Sequence, residues 1–437
     1  MRFSTIIAKT LIIVTIISLI LYPFHANLIQ ESRTEKFQLH ANSFSRQKLS
    51  CLMLKGGIEE LPVINASNYD GENDTERLQA ALDDVPSEGA IVYIPSGVWI
   101  AAGLRVKSNT IILGENGTII VKPENFTIPF IIFENISNFA LLNITFEGEN
   151  IPDGLGVLIL NCQNFLIQNN VFLNIQKNAL KVTVTITTFS QNFVIANNSF
   201  INCQNAPLLI FGNPSRRAIL NFEIKNNIII NGTKNGKIGM AFCASGEIEN
   251  NKVINCQHGI ATRCVSNITI TRNHIENIAD YGIYLGTQIG DQGTDRVKIE
   301  KNEIYCGRIG IARYYGDYPI SDIDVIDNIF LNNSQYDILA DFPANFMNNT
   351  ITDATKLKII EPSSNFIGTR SISGYPILPG DLNLDYKIDI IDITLVVKFF
   401  GSMEGSPNWY EKADIISDGK IDIVDISYVV QYFGVIA

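Results

Sequence analysis

Between residues 140 and 350 apolar and polar positions recur in one short cycle. The segments NFLIQNNVFLNI (164–175), NFVIANNSFINC (192–203), NFEIKNNIIING (221–232) and NITITRNHIENI (267–278) superpose on the Asn before their second apolar pair. Extended over the chain, that position is held by Asn143, Asn170, Asn198, Asn227, Asn251, Asn273, Asn302, Asn328 and Asn349, spaced 21 to 29 residues apart. Such a period describes stacked units, none of which can bury its apolar face alone. Inside a unit, Phe165-x-Ile167 and Ile268-x-Ile270 alternate with the period of a strand. A second short strand follows the Asn, and a third follows a turn, as in Gly259-Ile260-Ala261, Gly282-Ile283-Tyr284 and Gly310-Ile311-Ala312. Three short strands and three turns make one coil of a parallel β-helix, each coil lying about 4.8 Å from the next. Asn suits the turn twice over: it tolerates a left-handed backbone, and its amide can bond the same amide one coil away. Leucine-rich repeats fit less well, because Ile and Asn dominate and the Leu spacing is missing.

Upstream, DTERLQAALDDV (74–85) has helical apolar spacing with Asp74 as the expected N-cap. A short amphipathic helix there would close the open apolar end of a stack of coils. The stretch NDTERLQAALDDVPSEGAIVYIPSGVWIAAGLRVKSNTIILGENGTI (73–119) resembles the pectate lyase-like superfamily of right-handed β-helices. The resemblance covers 60–362. It implies an all-β, single-stranded right-handed parallel β-helix with an N-terminal capping helix. The superfamily spans polysaccharide lyases, glycoside hydrolases, uronate epimerases and non-catalytic surface proteins, so fold does not name chemistry.

After a stretch read as a linker (363–379), GDLNLDYKIDIIDITLVVKFFG (380–401) is repeated as ADIISDGKIDIVDISYVVQYFG (413–434). Ten acidic residues and four Lys put −6 of the formal −11 charge into 380–437, which leaves the rest of the chain near neutral and argues against nucleic acid as a partner. Oxygen-bearing residues fall on the spacing of an EF-hand calcium loop, each loop running into an amphipathic helix that ends at Gly401 or Gly434. The duplicated pattern over 380–437 resembles a dockerin, a small all-α domain. The resemblance implies two Ca2+ ions and a cohesin-like protein partner. By its motif the ligands are Asp381, Asn383, Asp385, the Lys387 carbonyl, Asp389 and Asp392 in the first loop. In the second they are Asp414, Asp418, the Lys420 carbonyl, Asp422 and Asp425. Ile416 replaces an oxygen at the third position of the second loop, which is expected to weaken that site, and Tyr386 replaces the usual turn Gly of the first.

Residues 1–26 have basic residues before a short apolar run, as in a signal peptide; left uncleaved, the same segment would be a membrane anchor. With Asn-x-Ser/Thr triplets such as Asn143-Ile144-Thr145, this points to an extracellular or cell-surface protein. Residues 27–59 carry no assignment. The seven Cys show no CxxC; Cys203 and Cys256 share a repeat position and read as buried fillers, with one or two disulfides open to an oxidising compartment.

The strands that begin Gly-Ile are the candidate binding sheet. Alternation turns Ala261, Arg263 and Tyr284 outward, and the longest turns nearby (287–296 and 314–322) carry Asp, Arg and Tyr. Carboxylates for hydrolysis would come from Asp280, Asp291, Asp295 and Asp317. Lyase or epimerase chemistry on a uronate would instead draw on His258, Arg263, Arg308 and Arg313. Two functions follow for the sequence: a polysaccharide-active enzyme, lyase or hydrolase, tethered by its tail, or a non-catalytic carbohydrate-binding or surface β-helix. The first predicts carboxylates and Arg converging over 258–322; the second predicts scattered charges.

Overall fold

The computed structural model describes residues 61–437 except 288–292, 306, 315, 317, 375–376, 384–386 and 436–437. The proposed signal segment and residues 27–59 therefore lie outside the described residues, as do Asp291, Asp317, Asp385 and Tyr386.

Each complete coil delivers one strand to each of three sheets; the first strand of sheet A and the last coil do not complete the set. Among the described residues, sheet A has 13 strands, from Val63–Asn65 to Asn365–Ile367; sheet B has 12, from Gly97–Ile100 to Arg370–Ser371; sheet C has 11, from Leu104–Arg105 to Leu357–Ile359. One coil, for example, runs Ser190–Ala196 in sheet A, Ser199–Ile201 in sheet B and Leu208–Phe211 in sheet C. Strands pair in parallel with their equivalents one coil away, as Phe165 with Phe193 and Ile260 with Ile283. The all-β expectation with three short strands per coil holds. The last strands of sheets A and B carry the coil past residue 362, into the segment read as linker.

Inward positions stack like on like. Phe139, Phe165, Phe193 and Phe222 lie ring over ring at centroid spacings of 5.0, 4.5 and 5.4 Å, and Phe146, Phe172 and Phe200 form a second column at 5.2 and 4.9 Å. The first column ends because the residue paired with Phe222 is Gly246, where a Cβ would stand 2.2 Å from the Phe222 ring.

The Asn repeat divides into two roles that the sequence reading had merged. Asn170, Asn198, Asn227, Asn251, Asn273, Asn302, Asn328 and Asn349 are buried and do form the amide ladder. From Asn170 to Asn328 each Nδ2 donates to the next Oδ1 at 2.9–3.1 Å, Asn349 Nδ2 donates to the Val325 carbonyl, and each Oδ1 also accepts the backbone N–H of the residue below. The left-handed conformation belongs to the residue before: Asn169, Asn197, Asn226, Asn250, Arg272, Lys301, Asp327 and Asn348, with φ of 52–57°. Asn143 is one of these left-handed, exposed residues and not a ladder member; Ile144 takes the ladder position in its coil, its N–H donating to Asn170 Oδ1. Further ladders run along the surface, among them Asn164–Asn192–Asn221 and Asn174–Asn202–Asn231–Asn255.

Helix α1 (Asp74–Asp83) closes the first coil, burying Leu78, Ala81 and Leu82 in the core. Its N-cap is Asn73, one residue before the expected Asp74: Asn73 Oδ1 accepts Glu76 N–H at 3.0 Å, while Asp74 accepts the N–H of Ile100 at 2.9 Å and pairs with Arg77. The tail contributes α2 (Ile390–Lys398) and α3 (Ile423–Gln431), capped by Asp389 and Asp422. Cys162, Cys203, Cys243 and Cys256 are buried free thiols, so no disulfide joins these four, and Cys264 is buried as well. No helix among the described residues is long and apolar enough to cross a membrane.

Candidate functional site

A groove on the outer face of sheet C follows from the register. Outward positions step across the coils as Leu209, Gly239, Ala261 and Tyr284, and in parallel as Phe211, Ala241, Arg263 and Gly286. Two successive coils therefore present only Gly or Ala at one outward position. The sheet dips between a wall of Leu209 and Phe211 and a wall of Arg263 and Tyr284, two strand spacings apart from Phe211 to Arg263 and three from Leu209 to Tyr284. Lys237, just before its strand, lines the same groove. Burial and the Arg263 charge bring the Lys237 ammonium down to about 8, and Asn235 accepts a hydrogen bond from it.

Beside the groove lies an aromatic cluster. Tyr284 stacks on Tyr314 at 4.6 Å, and His258 sits edge-on to Tyr284 at 5.3 Å and beside Tyr281 at 6.0 Å. His258 is 4% exposed, its Nδ1 has no hydrogen-bond partner among the described residues, and burial together with Lys237 pushes its pKa down to about 4. The imidazole is neutral at physiological pH. Asp280 is held by Arg308 at 3.2 Å and by Gln257 at 3.1 Å, and the Arg308 guanidinium lies over the Tyr281 ring.

The structure brings His258, Arg263, Asp280 and Arg308 to one region and leaves the other described candidates apart from it. Asp295 belongs to sheet A, where Arg217 at 2.7 Å, Arg296 at 3.0 Å and the Ser266 hydroxyl bind it. Arg313 shares the inward parity of Ile311 yet is not buried; it ends its strand, and its guanidinium donates to the carbonyls of Gly316 and Tyr318. Its backbone N–H donates to Asp341, whose carboxyl burial raises to about 6. Lys237 is a groove residue that the sequence analysis did not single out. Its signal was the position two residues before an outward Gly.

In the tail, Asp392 and Asp425 are buried at the ends of their loops and each closes a capping box. Asp392 Oδ1 accepts the N–H groups of Leu382 and Asn383, and Asp425 Oδ1 accepts that of Ile416. Asp389 and Asp422 cap their helices, each accepting through Oδ1 the N–H of Ile391 or Val424. Asp414 accepts from Asp418 and Gly419 N–H, and Asp418 accepts from Lys420 N–H. Burial and the neighbouring carboxylates raise both Asp414 and Asp425, and no ion pair with Lys or Arg offsets them among the described residues. A set of oxygen donors short of positive charge fits a hard divalent cation. Among the described residues no three acidic, His or Cys side chains are gathered as closely as a bound metal would hold them.

Comparison with known proteins agrees with both halves. The family "Right handed beta helix region" matches residues 155–303 and 221–367, and "Dockerin type I domain" matches 379–434. No curated protein matches the chain. Among solved structures, the surface adhesin PfbA of Streptococcus pneumoniae is similar at a TM-score of 0.54 and 15% identity, over 71% of this chain and 90% of that one. The endo-xylogalacturonan hydrolase of Aspergillus tubingensis is similar at 0.52 and 13%, over 72% and 94%. The N-terminal fragment of bacteriophage Phi29 gene product 12 is similar at 0.52 and 14%, over 72% and 71%. At such identities the likeness establishes the fold.

Proposed function

Because the chain joins a right-handed β-helix to a C-terminal dockerin type I domain, we propose that it holds an acidic polysaccharide in the sheet C groove, outside the cytosol. Its tail, with calcium in its two loops, then carries it to a cohesin-like protein. The observation behind this reading is the pairing of Lys237 and Arg263 in a groove lined by Leu209, Phe211 and Tyr284. Sugar rings offer apolar faces to aromatic and aliphatic walls, and a uronate carboxylate offers a charge to the two cations. The single described carboxylate of the cluster, Asp280, is bound to Arg308, so hydrolysis by paired acids has no geometric support among the described residues.

A second reading, β-elimination, is favoured by the lowered Lys237. A neutral amine near the C5 proton of a uronate would take it as base. The C4–O bond would break as the C4=C5 double bond forms, and the departing oxygen would take up a proton. Arg263 would neutralise the carboxylate beside that carbon. The chain with calcium should retard in affinity gels containing polygalacturonate or alginate and not in a neutral glucan. New ultraviolet absorbance of an unsaturated uronate would add the lyase activity. Reducing ends without that absorbance would restore hydrolysis. Equal retardation in acidic and neutral gels would refute the acidic-polysaccharide reading.

A further inference from the structure

The two copies of the tail differ where one of them meets the β-helix. Ile416 and Tyr428 are 3% and 2% exposed and belong to the core that runs through the coils. The tail's own core is separate, built from Leu382, Ile388, Val396, Ala413, Ile421 and Val429. Tyr428 and Tyr432 hydroxyls donate to the Ser364 carbonyl at 3.2 and 3.4 Å, the Tyr432 hydroxyl accepts Phe366 N–H at 3.2 Å, and Gln431 donates to Asn365 at 2.9 Å. Their counterparts in the first copy are Asn383, Leu395, Phe399 and Lys398, none of which reproduces the apolar plug or the hydroxyls. Ile416 thus gives up a loop oxygen at a position where the second copy needs a hydrophobe.

A stack of coils has two open ends. Helix α1 covers the first; at the other, Phe366 and the final strand edges of sheets A and B would face water. We propose that the second copy of the duplicated tail is the C-terminal cap of the β-helix, seated on the last coil by Ile416, Tyr428, Gln431 and Tyr432. A protein that grips the tail then holds the β-helix in a fixed orientation. The proposal rests on these contacts and not on the groove or its ligand.

Hydrogen exchange of the full chain in calcium buffer tests it. Giving the second copy the first copy's residues (Ile416→Asn, Tyr428→Leu, Tyr432→Phe) should abolish protection over 364–371 and lower the melting temperature of the coils by roughly 3–10 °C. Helices α2 and α3, with their own core, should stay protected. Tyr432→Phe alone, which preserves packing, should speed exchange at Phe366 by about fivefold. The reciprocal change in the first copy (Leu395→Tyr, Phe399→Tyr) should leave 364–371 unaltered. Unchanged protection of Phe366 in both second-copy variants, or equal loss from the reciprocal change, would overturn the cap.

Discussion

Asn250 and Asn251 are neighbours that the chain uses for different physical ends, and alanine at each should separate them. Asn251 is 1% exposed. Its Nδ2 donates to Ile224 O at 2.9 Å and Asn273 Oδ1 at 3.0 Å, and its Oδ1 accepts both the backbone N–H and the Nδ2 of Asn227 at 2.9 and 3.0 Å. Alanine leaves the Asn227 N–H without its acceptor and the Ile224 carbonyl without this donor, in a site closed to water. At about 1–3 kcal/mol for each stranded group, the loss is about 2–6 kcal/mol. Asn250 has φ of 52° and faces solvent, with one surface bond to Asn226. There alanine costs about 1–2 kcal/mol for the left-handed backbone, and glycine almost nothing. Guanidinium denaturation followed by circular dichroism would rank Asn251→Ala well below Asn250→Ala, with Asn250→Gly near the parent. Equal losses at the two positions, or an Asn251→Ala loss under about 1 kcal/mol, would refute the ladder as the source of stability.

Other outcomes follow from the same structure. Lys237→Ala with Arg263→Ala should weaken retention by polygalacturonate about tenfold or more and flatten its salt dependence, as read by affinity electrophoresis at two ionic strengths. His258 has a folded pKa of about 4 against 6.5 unfolded. The unfolded chain binds the extra proton between these values, so this contribution is complete above pH 6.5 and is lost as pH falls toward 4. The loss is up to about 3 kcal/mol, and His258→Gln should remove that slope from a denaturation series in pH. Gly246→Ala would drive a methyl into the Phe222 ring and cost about 1–3 kcal/mol by denaturation. Calorimetric titration with calcium should give two sites, the weaker in the loop containing Ile416, and Asp392→Ala should abolish the tighter one; a single class of equal sites would contradict the loop reading.

The coil was legible because its signals are local. Alternation within Phe165-x-Ile167, a turn Asn and a 21 to 29 residue period are all written within one repeat. Asn73 against Asp74, and the merging of the two Asn roles, show where this reading blurs. Adjacent residues of one type can serve opposite ends, one outward with a left-handed backbone and one inward with a paired amide. The end of the β-helix was placed too early for a related reason. Its last coil at 365–371 lacks the Asn-Asn signature, carrying Gly368 and Thr369 where earlier coils carry Asn348 and Asn349.

The groove follows the opposite rule. Its members, Leu209, Gly239, Ala261 and Tyr284, are separated by 22 to 30 residues and become neighbours only through register. No motif search along the chain can assemble them, and among the described candidates Asp295 is bound by Arg217 and Arg296, Asp280 by Arg308, and Arg313 donates to backbone carbonyls. A residue such as Lys237 acquires its lowered pKa first from burial against walls supplied by other coils, then from the charge of a neighbour one coil away, Arg263. In a stacked fold the chemistry of a face is read across coils. Small outward residues in two successive repeats mark a depression, and the charged residue beside them marks what it prefers to hold. The tail obeys the same logic: the departure of Ile416 from its loop pattern weakens one site when read along the chain, and gains its physical reason when read against the coil it covers.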